Sequence, residues 1–185
     1  MPAKPEILKQ REAARSRFFY VEEIELRFSN GVERTYERLR TGGFGAVMVV
    51  ALLDDETVLL IREYAAGFHE YQLSLPKGAV DRGESLVEAA NRELKEEAGY
   101  GARHIEVLKE MSLSPAYMEH TLTVLLARDL YEQRLPGDEP EEIEVVPYKL
   151  ANIHELVERA DFTEARAIAA LYMVRDKIKQ QKEQL

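Results

Sequence analysis

The sequence contains no cysteine, and this absence excludes several kinds of chemistry at once. Disulfide bonds, thiolate metal sites, iron–sulfur clusters and cysteine nucleophiles all need a thiol. A bound metal must therefore be held by oxygen ligands or by histidine. The four histidines lie far apart in the sequence without a ligand spacing, and we assign them to packing or to the surface: His69, His104, His120 and His154.

Long apolar runs and an excess of positive charge are also missing. No run of about 18 apolar residues occurs that could cross a bilayer, and the N-terminus does not resemble a signal peptide. The 25 Lys and Arg residues face 34 Asp and Glu residues, which gives a formal net charge of −9. This charge disfavours a protein that must neutralise many phosphates of nucleic acid or of an anionic membrane. We expect a cytoplasmic protein that binds neither.

The chain has a globular composition, because 45% of its 185 residues are hydrophobic. Its length fits one domain with additional elements. Predicted strands precede and follow one central helix, and two helices close the chain, which indicates a mixed α/β sandwich. We divide the chain into an N-terminal arm with a β-hairpin, residues 1–40, and a main domain, residues 41–185. Gly42, Gly43 and Gly45 mark the junction.

Hydrophobic patterns predict the individual elements. The first 17 residues are polar and predict a loosely held lead-in. Alternating apolar residues around Asn30-Gly31 predict a hairpin over Phe18–Arg40 with a type I′ turn. The segment 76–84 is rich in Pro and Gly and predicts a loop. Further strands are predicted within residues 46–53, 57–64, 71–75, 104–113, 121–130 and 143–150, and helices over Glu84–Ala98, Ala151–Arg159 and Thr163–Lys179.

Three glutamates of the central helix carry the strongest chemical signal. Glu93, Glu96 and Glu97 fall within an arc of about 100° on an ideal helix, so their carboxylates converge. Like charges this close repel unless a cation lies between them. Hard oxygen ligands suit Mg²⁺ or Mn²⁺, which commonly share their coordination with substrate phosphates. The competing interpretation, a solvated charged helix face, is disfavoured by the specific residues around the glutamates.

The string GAVDRGESLVEAANRELKEEAGY, residues 78–100, resembles the Nudix box, the signature of hydrolases that cut a diphosphate linked to another moiety. The resemblance implies a Nudix-type α/β/α sandwich with a mixed sheet. It also implies that Glu93, Glu96 and Glu97 bind Mg²⁺ (or Mn²⁺) together with the backbone near Gly78. Arg92 and Glu84 would be supporting residues.

Pro115 stands 15 residues after Tyr100, a position typical of the ADP-ribose pyrophosphatase branch of that family. The chain is most similar to members that hydrolyse ADP compounds. This resemblance implies Mg-dependent cleavage of ADP-ribose, NADH or diadenosine polyphosphates to AMP and a phosphorylated remainder. It also implies a homodimer formed through the N-terminal hairpin. The chain lacks the second arginine of the branch's Arg-Gln-Tyr-Arg strand, where Ala65 stands, which favours the broader substrate class.

Residues that would bind the substrate come from strand ends. Arg38, Arg40 and Arg62 are candidates to grip phosphates with their guanidinium groups, and Tyr117 is a candidate to stack on adenine. Surface ion pairs and core aromatics are equally compatible with these positions. Tyr36, Phe28 and Lys77 are further candidates.

The acidic loop at residues 132–142 occupies the position from which members of this branch supply a general base. Glu141 is the first choice for this role, with Glu139 and Glu142 close behind, and a solvated loop is the alternative. Two other functions stay open. One is a Nudix hydrolase of coenzyme A or a sugar nucleotide, and the other is a non-catalytic sensor of ADP-ribose or NAD.

Overall fold

The computed structural model of the chain describes residues 3–41 and 43–183, so Gly42 of the predicted junction lies outside the described residues. The chain forms two compact units. The first runs to Gly43 and also includes Ser112–Thr121, and the second comprises Phe44–Met111 and the chain from Leu122 onward. No helix among the described residues is both long and apolar enough to span a membrane.

The first unit is a four-stranded sheet in the order β1-β2-β3-β9. The predicted hairpin is confirmed, because β2 and β3 pair antiparallel along their whole length. The predicted lead-in is wrong: residues 6–15 form a strand that pairs with β2. This edge strand is exposed on both faces and therefore carries no apolar alternation. The four strands are β1 (Glu6–Arg15), β2 (Tyr20–Arg27), β3 (Glu33–Arg40) and β9 (Met118–Glu119).

The turn between β2 and β3 differs from the prediction. A type I′ turn needs positive φ at both central residues, but within residues 3–41 and 43–183 only His69 and Asp129 are non-glycine residues with positive φ. Instead, Gly31 has φ +81° and donates its N–H to the Phe28 carbonyl oxygen at 2.9 Å. The connection is therefore a three-residue loop that ends in a left-handed glycine.

The second unit is built on a seven-stranded mixed sheet. Its main path has the order β11-β5-β4-β10-β8, while β6 pairs with β5 and β7 pairs with β4. The strands β4 and β10 run parallel in the centre. The strands of this sheet are β4 (Ala46–Leu52), β5 (Thr57–Ala65), β6 (Glu70–Ser74), β7 (Lys77–Ala79), β8 (Tyr100–Ser112), β10 (Thr121–Glu132) and β11 (Glu144–Lys149).

Helices cover both faces of this sheet, which confirms the predicted α/β/α sandwich. They are α1 (Leu86–Glu93), α2 (Ile153–Val157) and α3 (Ala165–Glu183). Alternate residues of β4 pack in opposite directions: Val47 lies in the apolar cluster on the α1 side, and Met48 lies in the cluster on the α3 side. A strand buried on both faces reads as a continuous apolar run, as β4 does in the sequence.

One predicted loop contains a strand. Residues 77–79 pair with the start of β4, Lys77 opposite Met48 and Gly78 opposite Val47. Pro76 before the strand and Gly78 within it give this segment the composition of a loop. This short pairing holds the backbone of Gly78 beside Glu93, the last residue of α1.

Candidate active site

The central helix is fixed at both ends by its sequence. Ser85 caps α1 and forms a capping box with Glu88, because each side chain accepts a hydrogen bond from the other residue's N–H. The helix continues as a π-helical turn over Leu94–Ala98 and ends at Gly99, which has φ +78°. This turn is wider than the ideal helix on which the predicted arc was drawn, and such turns occur frequently at functional sites.

Arg92 is the hub of the acidic cluster. Its Nε donates to Glu84 Oε1 at 2.9 Å, and its Nη1 donates to both Glu93 Oε1 at 2.7 Å and Glu96 Oε2 at 2.9 Å. Its Nη2 donates to the Ala79 carbonyl oxygen, which ties the helix to β7. The hydrogen bonds from Arg92 hold the pKa of Glu84 below its usual range. One guanidinium thus gathers two of the three predicted metal ligands.

Glu93 and Glu97 are buried carboxylates that lie against β7. Glu93 is 8% exposed and Glu97 is 3% exposed. Glu97 Oε2 accepts a hydrogen bond from the Lys77 backbone N–H at 2.8 Å. Burial raises the pKa of Glu97 to about 8, although Lys77 opposes the shift. Burial likewise raises the pKa of Glu93, against the effect of Arg92.

Gly78 lies directly against the Glu93 carboxylate. A Cβ atom at position 78 would clash with the Oε1, Cδ and Oε2 atoms of Glu93. Only glycine allows this close approach between the backbone of β7 and the carboxylate. The predicted contribution of the Gly78 backbone to the site is therefore compatible with the packing.

These residues fit a hard divalent cation by their chemistry. In the part of the chain that the structure describes, no three acidic or histidine side chains are grouped as a preformed metal site. Glu93 and Glu96 instead share the positive charge of Arg92. However, Glu97 is a buried carboxylate, and desolvation disfavours its ionised form. A nearby positive charge would stabilise that ionised form. Carboxylate and backbone carbonyl oxygens, which Glu93, Glu96, Glu97 and Gly78 offer, are the donors that Mg²⁺ or Mn²⁺ prefers.

The acidic loop lines a cavity of about 350 Å³ together with Glu96. Glu139, Glu141 and Glu142 all contribute to its wall. The Glu139 charge adds to the effect of burial on the pKa of Glu93. Glu141 instead accepts a hydrogen bond from the Tyr71 hydroxyl. No sequence pattern predicts this contact, which joins residues 70 positions apart.

Several predicted substrate residues meet in the first unit. Tyr117, Arg38, Tyr36 and Phe28 line a cavity of about 540 Å³ there. Arg38 donates from Nε to Glu22 Oε2 at 2.7 Å. Arg40 also contacts Glu22, at 3.4 Å, and forms an ion pair with Glu119.

Two predicted substrate residues of the second unit, Arg62 and Lys77, are held in ion pairs. Arg62 donates to Glu144 and to Asp161, both at 2.8 Å, and is not grouped with Arg38 and Arg40 in one unit. Lys77 donates from Nζ to Glu63 Oε2 at 2.6 Å. Burial works against the charge of Lys77, but Glu63 keeps its pKa raised. The sequence did not reveal these acidic partners.

The model of the NUDIX domain matches residues 44–171 of the chain. The chain belongs to the Nudix family. The resemblance of the box is thereby confirmed, and the chain is a Nudix hydrolase by family. A second model, the NudE-type Nudix hydrolase N-terminal domain, matches residues 5–38.

Relatives of this Nudix chain agree with the predicted branch. It is 49% identical over 178 residues to the ADP compounds hydrolase NudE of Escherichia coli (strain K12). These residues make up 96% of this chain and 95% of the relative. It is 29% identical to the ADP-ribose pyrophosphatase of Bacillus subtilis (strain 168), over 82% and 81% of the two chains. A crystal structure of an ADP compounds hydrolase superposes with a TM-score of 0.92 at 48% identity, over 98% of this chain and 97% of that one.

Proposed function

We propose that this chain is a pyrophosphohydrolase of ADP-linked compounds, which it cleaves to AMP and a phosphorylated remainder. The observation that carries the proposal is the pair of buried carboxylates, Glu93 and Glu97, packed against β7 inside a Nudix box. The names of the relatives, ADP compounds hydrolase and ADP-ribose pyrophosphatase, support the substrate class. Coenzyme A and sugar nucleotides stay as alternatives within the same chemistry.

Glu93, Glu96 and Glu97 would hold the divalent cation together with the Gly78 backbone. When bound, such a cation neutralises pyrophosphate charge and makes water more acidic. Arg92 keeps Glu93 and Glu96 side by side at one guanidinium nitrogen. The Lys77 backbone N–H fixes the direction of the Glu97 carboxylate. The specific metal, Mg²⁺ or Mn²⁺, and the cytoplasmic location stay predictions from the sequence.

The general base would come from the acidic loop. Glu141 was the first choice from the sequence, but its carboxylate accepts a hydrogen bond from Tyr71 of β6. Glu139 and Glu141 both line the cavity that contains Glu96, and Glu139 is favoured because its charge acts on Glu93. A comparison of Glu139→Gln with Glu141→Gln tests this order. The base variant should lose at least about a hundredfold in kcat, and the other variant should lose much less.

The first unit supplies the candidate residues for the ADP moiety. Arg38 and Tyr117 line one cavity, which offers a guanidinium for phosphate and a ring for adenine. Arg38, Arg40 and Arg62 are all paired with acidic residues and would need to exchange those partners to bind phosphate. We also propose that residues 1–40 mediate a homodimer, and a sedimentation mass near 21 kDa would contradict this.

The proposal is tested by incubating the protein with ADP-ribose, NADH, diadenosine triphosphate and UDP-glucose, with Mg²⁺ or with EDTA. Nucleoside monophosphate release is followed by chromatography. We expect AMP from the three adenosine compounds only when Mg²⁺ is present. Cleavage of UDP-glucose alone would favour the sugar-nucleotide alternative. Binding of ADP-ribose without product would favour the sensor.

A further inference from the structure

Two exposed tyrosines form a pair near the end of the ladder between β5 and β6 in the main sheet. Tyr64 of β5 and Tyr71 of β6 lie directly opposite each other in the antiparallel ladder. Their ring centroids are 5.8 Å apart, and the planes are inclined by 65°. Tyr64 is 44% exposed and Tyr71 is 50% exposed, so both rings present apolar surface to solvent. We name these two residues the tyrosine pair.

The hydroxyl group of each ring in the tyrosine pair is held by a hydrogen bond. The Tyr64 hydroxyl is hydrogen bonded to His69 Nδ1 at 2.7 Å. His69 has φ +57°, a strained conformation for a residue with a side chain. On the other side, the Tyr71 hydroxyl donates to the Glu141 carboxylate. Rings fixed in this way would lose little conformational freedom when a ligand stacks on them.

The hydrogen bond between Tyr71 and Glu141 joins the tyrosine pair to the candidate active site. Glu141 lines the 350 Å³ cavity whose wall also contains Glu96 of the Nudix box. The cavity therefore leads from the box to Glu141, and the tyrosine pair begins where Glu141 contacts Tyr71. All of these residues belong to the second unit. A substrate with its diphosphate at the box could extend its remaining moiety along this path.

We propose that the tyrosine pair is a stacking surface for the second base of dinucleotide substrates. This inference rests on the proposed function and adds to it a preference among ADP compounds. Stacking on an aromatic ring tolerates any base, because every base has a π-face. Diadenosine polyphosphates and NADH carry a second base, whereas ADP-ribose ends in a sugar. The tyrosine pair would then lower KM for dinucleotides and leave KM for ADP-ribose unchanged.

Matched substitutions separate stacking from simple positioning of the loop. Tyr64→Leu and Tyr71→Leu remove a ring, whereas Tyr64→Phe and Tyr71→Phe keep the ring and remove only the hydroxyl. KM and kcat are measured for diadenosine triphosphate and for ADP-ribose with all four variants and the wild type. Thermal unfolding of each variant checks that the protein, including β5 and β6, remains folded.

We expect each leucine variant to raise KM for diadenosine triphosphate about tenfold, within the range observed when a stacking ring is removed. KM for ADP-ribose should stay within about twofold, and both phenylalanine variants should resemble the wild type. Equal losses for the two substrates, or a loss in Tyr71→Phe as large as in Tyr71→Leu, would overturn the inference in favour of a positioning role. No change in any variant would also overturn it. A wild-type protein that releases no AMP from either compound would refute the proposed function itself.

Discussion

Because the carboxylate of Glu97 is buried, the free energy of unfolding of the metal-free protein should depend on pH. Its pKa is about 8 in the folded protein, against an ordinary value of 4.5. Between these two values the folded protein retains a proton that the unfolded chain releases, so stability must fall as the pH rises. At about 1.4 kcal/mol for each pH unit, the loss reaches roughly 5 kcal/mol above pH 8. Glu97→Gln removes this titrating group and should abolish its part of the pH dependence, leaving the part due to Glu93, whose pKa burial also raises.

The assay is urea unfolding followed by circular dichroism, in EDTA, from about pH 5 to about pH 9. Wild type and Glu97→Gln should be similarly stable at the acidic end, and the variant should become the more stable protein as the pH rises. Mg²⁺ should restore stability to the wild type at high pH and have little effect on the variant. The same substitution should lower turnover by orders of magnitude. Parallel pH profiles for the two proteins would refute the reasoning.

Three further substitutions test other parts of the account. Gly78→Ala forces a Cβ into the Glu93 carboxylate, so kcat should fall about a hundredfold in a steady-state assay. Ser85→Ala removes the cap of α1 and should cost about 1 kcal/mol, a decrease of roughly 2–4 °C in Tm by calorimetry. Glu22→Gln removes a 2% exposed partner of Arg38 and should cost about 3 kcal/mol in urea unfolding. Because Arg38 and Gln10 hold the pKa of Glu22 low despite burial, the wild type should lose this advantage on acidification.

The fold could be predicted wherever local patterns determine it. The apolar runs of β4 and β5 indicated strands buried on both faces, and Ser85 and Gly99 marked the ends of the central helix. The edge strand β1 was missed, because its stability comes from pairing with β2 and not from an apolar face. The strand β7 was missed because it has only three residues, follows Pro76 and contains Gly78, so it carries no periodicity. The strand β7 depends on β4, which is distant in the sequence, whereas β1 pairs with the strand that follows it.

The candidate site could be predicted in its acidic residues and not in their partners. The spacing of Glu93, Glu96 and Glu97 placed them on one side of a helix, and the structure puts two of them on a single nitrogen of Arg92. The contact of Tyr71 with Glu141 depends on how the fold brings β6 and the acidic loop together. No pattern along the chain predicts this contact, which becomes apparent only in the folded structure.

The central claim is that the glutamates of the Nudix box hold a divalent cation that is needed to cleave ADP-linked diphosphates. Its most direct test is AMP release from ADP-ribose as Mg²⁺ is titrated into metal-free wild type and metal-free Glu93→Gln. We expect saturable activation of the wild type, and at most about one hundredth of that rate for the variant at every Mg²⁺ concentration. Full activity of the wild type in EDTA, or of the variant in Mg²⁺, would contradict the account.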